Sequence, residues 1–154
     1  MIDLSALSRH PFPIKASEDA VRHARAFALL MWQERHDEKA AEWKAATGSD
    51  WTRERPADLS SSCKFTSLFA AVVFGGEMKG NYDHQFAAAD GKIIDLNAEA
   101  DDVKGRAGVH EHDPDFFWSP DHLDSLRSCL PRVERWLAAY SEVLQAETAP
   151  SASY

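Results

Sequence analysis

CKFTSLFAAVVFGGEMKGNYDHQFAAADGKIIDLN, residues 63–97, is the stretch whose reading decides the fold. From Cys63 to Phe74 the residues are almost all apolar, the composition of a helix enclosed by the rest of a domain. Gly75-Gly76 then supplies the conformational freedom that commonly ends a helix. In DHQFAAADGKIIDLN two short apolar runs flank Asp90-Gly91, among the strongest local signals for a β-hairpin. A buried helix followed by at least two antiparallel strands predicts an α+β domain.

Working outward toward the N-terminus, SDWTRERPADLSSS carries Pro56 and three consecutive serines. It reads as a loop that delivers the chain to a helix starting at or beside Cys63. Before it, Ser17 with Glu18 and Asp19 has the form of a helix cap with acids in the first turn. Val21, Ala24, Phe27, Ala28 and Met31 recur at three- and four-residue steps, which predicts a long helix running to Gly48, with a possible break near His36. The first residues, with Pro11 and Pro13, read as extended.

Toward the C-terminus, the acidic stretch from Ala98 to Trp118 contains Gly105, Gly108 and Pro114 and reads as a long surface loop. Ser119 and Pro120 open a helical pattern, and Pro131 either kinks it or sits in the first turn of a final helix. Val133, Trp136, Leu137, Tyr140 and Leu144 form one apolar stripe. The expectation is a single domain over residues 1–147, with residues 148–154 a disordered tail. No internal repeat is present.

The bulk numbers exclude several classes. A chain of 154 residues with 44% hydrophobic residues suits one core. Its 17 basic against 25 acidic residues give a formal charge of -8, which repels phosphate backbones and anionic membranes, so nucleic acid is not expected as a partner. No apolar stretch approaches the roughly 18 residues of a membrane span, and MIDLSALSRHPFPIK lacks the apolar centre of a signal peptide. The expected location is the cytoplasm, where Cys63 and Cys129 stay as thiols.

The chemistry of this chain centres on Cys63, His84 and Asp95. At the start of a helix a cysteine meets the positive end of the dipole, which favours the thiolate, and unpaired backbone N–H groups that suit an oxyanion. If Asp90-Gly91 is a two-residue turn, Ala89 opposes Lys92 and His84 opposes Asn97. Asp95 then shares their face, diagonal to His84, where it can orient the imidazole. Nucleophile, base and orienter follow one another as helix, strand and neighbouring strand.

In that order the chain resembles the papain-like superfamily, especially its transglutaminase-like and NlpC/P60-like branches. CKFTSLFAAVVFGGEM, NYDHQF and DGKIIDLN, with HDPDFFWSPDHLDSLRSCLPRVERW, are also similar to small uncharacterised bacterial and phage proteins of the YunG-like kind. The resemblance implies a papain-like arrangement, with N-terminal helices, a central helix carrying Cys63 packed on a small antiparallel sheet, and C-terminal helices. It also implies a Cys63, His84, Asp95 triad that hydrolyses or transfers acyl groups from an amide, thioester or isopeptide, with a protein or peptide as substrate or partner and no cofactor. The glutamine that papain-like proteases place before the cysteine is replaced by PADLSSS. Ser61, Ser62 or a backbone N–H is left to complete an oxyanion hole.

Each residue also has a plainer reading. A lone cysteine among apolar residues is ordinarily a small buried hydrophobe, which is the reading for Cys129. Asn97 is either a second orienter or a turn former. His110, Glu111, His112 and Asp113 offer alternate imidazoles on an extended segment, a pattern that binds zinc only with a further ligand, so no metal is expected. Trp32, Trp43 and Trp51 suit core or rim packing, while Phe116, Phe117 and Trp118 suit a substrate pocket. The rival to an enzyme is a non-catalytic papain-like protein whose acidic surface holds a basic partner, such as a phage- or plasmid-encoded inhibitor of a nucleic-acid-binding protein.

Overall fold

The computed structural model describes residues 2–7 and 10–148. Helix α1 spans Glu18–Thr47, and the Ser17 hydroxyl accepts the Ala20 N–H at its start. At its end Gly48 takes a left-handed φ of 76°, so its N–H turns back to the Lys44 carbonyl. The helix is continuous through His36, with no break there. Its buried face is Ala24, Phe27, Ala28 and Trp32, with Val21 and Met31 at the margin.

Helix α2, Cys63–Val73, is buried from Thr66 onward. It packs between β2, Gln85–Ala89, and α4, Pro120–Thr148. Phe69 of α2 lies 5.9 Å from Phe27 and 5.4 Å from Tyr140, ring centre to ring centre, so three helices share one aromatic core. A mostly apolar helix is stable in such a place because its residues from Thr66 onward leave water.

The sheet is a three-stranded antiparallel meander, β1-β2-β3, with β1 at Glu77–Gly80 and β3 at Lys92–Ile94. Ala89 pairs with Lys92, Ala88 with Ile93 and Ala87 with Ile94, the register a two-residue turn requires. Asp90 at φ 53° and Gly91 at φ 74° both occupy the left-handed region, as a type I′ turn demands. Strand β1 was not foreseen, because EMKG is too short to show alternation. A β-carbon on Gly76 would run into the Ala88 carbonyl, so the glycine lets the chain enter the sheet close to β2.

The long segment after β3 holds one short helix, α3, Pro114–Phe117, capped by the Asp113 carboxylate on the Phe116 N–H. Pro131 lies inside α4 and starts no new helix. It is exposed, so the carbonyl it cannot bond faces water. Val133, Trp136, Leu137 and Tyr140 are buried as the stripe predicts. Thr148 still belongs to α4; the rest of the expected tail lies outside the described residues. Among the described residues no helix is long and apolar enough to cross a membrane. The architecture is mixed helix and sheet, α+β.

Candidate active site

Cys63 is the first residue of α2 and is half-buried. What precedes it is fixed by a chain of short bonds. The Ser62 N–H and hydroxyl both donate to the Leu59 carbonyl, at 3.1 and 2.6 Å. Ser61, at φ 69°, donates its N–H to the Asp102 carboxylate at 2.8 Å. The Asn97 amide reaches across from beyond β3 and donates to the Leu59 carbonyl at 3.0 Å and to Ser62 Oγ at 3.2 Å.

Asn97 therefore holds the turn that aims Cys63, and it does not orient His84. Ser62 is fully buried and its hydroxyl proton is committed to Leu59, so it is not the oxyanion donor considered above. Ser62 makes no side-chain capping bond to α2 either. The first-turn N–H groups of Cys63 and Lys64 thus remain available at the helix start.

The three residues singled out by order and parity meet here. His84 stands immediately before β2 and Asp95 immediately after β3, and His84 Nε2 lies 2.8 Å from Asp95 Oδ2. Both side chains are 3% exposed, low enough that the pair is shielded from competing water. The second Asp95 oxygen accepts the Asn97 N–H at 2.9 Å. The Cys63 side chain lies close enough to His84 to raise its pKa, while the hydrogen bond that its thiol makes goes to Gln85.

Charge follows from these contacts. Burial acts against the His84 imidazolium, but the bond to Asp95 and the nearby Cys63 side chain outweigh it and carry the pKa from 6.5 to about 9. Burial likewise opposes the Asp95 carboxylate, and the two imidazoles bonded to it hold its pKa below the ordinary value.

Two groups of this site were not foreseen. Gln85 Oε1 accepts the Cys63 thiol at 3.1 Å, while Gln85 Nε2 donates to the Asn81 carbonyl at 2.7 Å, which fixes the amide's orientation. The second is His110, whose Nε2 lies 2.8 Å from the same Asp95 Oδ2 that His84 uses. Its ring stands edge-on to Phe86 at 5.0 Å.

The HEHD segment is thus divided. His112 Nδ1 accepts the Gly80 N–H, Asp113 caps α3, and Glu111 is exposed. Among the described residues, the grouping with metal-ligand spacing is His84, Asp95 and His110, with ligand atoms within 4.8 Å of one another.

The remaining candidates fall elsewhere. Cys129 is a buried free thiol of α4, and Cys63 is free too. Trp32 belongs to the core and Trp43 to the surface. Phe117 is core and Phe116 packs 4.6 Å from the His122 ring, whereas Trp118 lines an apolar groove with Ile2, Leu4 and Met78. No protein-family model, curated protein or solved structure matches this chain.

Proposed function

We propose that the protein is a small papain-like cysteine hydrolase or acyl transferase acting on an amide, thioester or isopeptide of a protein or peptide. The observation that carries this reading is the Asp95 carboxylate at 2.8 Å from His84 Nε2, with the Cys63 side chain, at a helix start, near enough to raise the pKa of the same imidazole.

In this reading the proton of Cys63 has already passed to His84, whose raised pKa holds it, and the thiolate attacks the acyl carbon. The carbonyl oxygen gathers negative charge against the N–H groups of Cys63 and Lys64. The bond from carbon to the leaving group breaks as His84 gives that proton to the departing amine or thiol, leaving an acyl thioester on Cys63. Water, or an acceptor amine in a transferase, then attacks the thioester and gives a proton to His84. The C–S bond breaks and His84 keeps that proton beside the released thiolate. Asp95 supports the charged imidazole throughout and need not gain a proton.

Asp102 accepts the Ser61 N–H of the turn before Cys63 and the Asp101 N–H bonds Asp58 beside it, so a substrate with basic residues suits this side of the site. The same carboxylates favour the rival reading, an acidic binding protein for a basic partner. One experiment separates the two: alkylation of Cys63 by iodoacetamide in a Cys129→Ser background, with and without His84→Ala. An acyl-transfer site gives a fast reaction that slows by about tenfold or more when the imidazole is removed. Ordinary reactivity indifferent to His84 would sink the enzyme reading and leave the binding one.

A further inference from the structure

Asp95 Oδ2 accepts from two imidazoles at once, at 2.8 Å each, and acid–base chemistry at Cys63 uses only one of them. The second, His110, arrives on a segment held in place on both sides. Asn81 Nδ2 donates to the Glu111 carbonyl at 2.7 Å and to the Gly108 carbonyl at 3.3 Å, and the Asp113 N–H bonds the Gly80 carbonyl at 2.9 Å. Three ligand atoms, two imidazole nitrogens and one carboxylate oxygen, are therefore brought together before any ion arrives.

We propose that His84, Asp95 and His110 form a binding site for a divalent ion of the zinc type, and that its occupation disables His84 as a base. Two nitrogens and one oxygen suit zinc, while magnesium and calcium prefer all-oxygen sets. His84 and Asp95 are buried, which leaves the ion to approach past exposed His110. A surface cleft of about 250 Å³, lined by Phe86, Ile93, His110 and His112 among others, opens beside that residue. The net charge of -8 favours cation approach.

The consequence follows from the two ring nitrogens. Coordination at Nε2 replaces the N–H that Asp95 accepts, and any surplus proton is released to water. The ring's remaining proton then resides on Nδ1, so neither nitrogen is free to accept the thiol proton. Binding stands on ligand geometry alone, and its effect on Cys63 rests on the acyl-transfer reading.

Zinc chloride titrated calorimetrically into the full chain, first native and then Cys63→Ser, tests the site. The expected result is one ion per chain at micromolar zinc in both, since sulfur is not required. His110→Ala weakens binding by at least about a hundredfold, more than the loss of an outer-shell partner costs, and Glu111→Gln leaves it unchanged. His110→Gln replaces the alanine variant if circular dichroism shows the latter unfolded. No binding at micromolar zinc, or binding that ignores His110, overturns the proposal. Zinc should also slow His84-dependent alkylation of Cys63. If the zinc-free chain shows no such dependence, the acyl-transfer reading falls while the calorimetry still decides the site.

Discussion

Cys63 opens α2 and Cys129 lies inside α4, and their thiols find partners in different ways. Cys129 Sγ donates back along its own helix to the Ser125 carbonyl, one turn earlier, at 3.5 Å. It is buried, and burial pushes its pKa above the ordinary 9.0. Cys63 has no earlier turn to donate to, because it is the first residue of its helix. Its thiol donates instead to Gln85 of the hairpin, at 3.1 Å. A helix interior satisfies a thiol locally and quiets it, whereas a helix start leaves it to whatever the tertiary fold brings.

Three experiments break or sharpen this contrast. Asp95→Ala should have the largest effect, removing one partner of a buried charged pair at a cost of about 3–5 kcal/mol in urea unfolding. Cys63 alkylation should fall with it. Unchanged stability would show that the hairpin end of the molecule is not held by this carboxylate. Cys129→Ala should cost only about 1 kcal/mol, the scale of a small apolar group lost from a core, and should leave the Cys63 alkylation rate as it was. A change in that rate would mean that the two thiols are coupled through α2 and α4.

The smallest effect lies in the α4 core at high pH. Tyr140 bonds to His23 Nδ1 at 2.8 Å, and burial, with Glu147 nearby, raises its pKa from 10.0 to about 12. A folded value above the unfolded one means that this stabilisation is complete below pH 10 and disappears as pH rises through about 12. Tyr140→Phe should remove that alkaline slope, at a cost near neutrality of about 1 kcal/mol for the lost hydrogen bond. A slope that persists in the variant would assign it to another group.

Much of the fold was legible because its signals are local. Ser17, Gly48 and the Asp90-Gly91 turn are each set by backbone chemistry within a few residues, and the hairpin register followed from turn length alone. The expected pairing of His84 with Asn97 does not form, because the ladder stops at Ala87 and Ile94; His84 and Asp95 meet at 2.8 Å just beyond the strand ends. Strand β1 was hidden because four residues carry no readable period; its partner β2 makes it a strand. Pro131 was ambiguous because one proline marks either a helix start or an exposed position in a longer helix, and burial on α4's opposite face decided for the latter.

The sequence by itself determined the α+β class, the helix start at Cys63 and the hairpin pairing, since capping, turn type and alternation act between near neighbours. Only the tertiary structure decided that His110 shares Asp95 with His84, that Gln85 holds the Cys63 proton, and that Asn97 pins the turn before Cys63. Those contacts join residues 15, 22 and 38 positions apart, the first and last of them between irregular segments. Where a chain has no period, the direction of a side chain is set by what the path of the loop packs against, and spacing does not encode it.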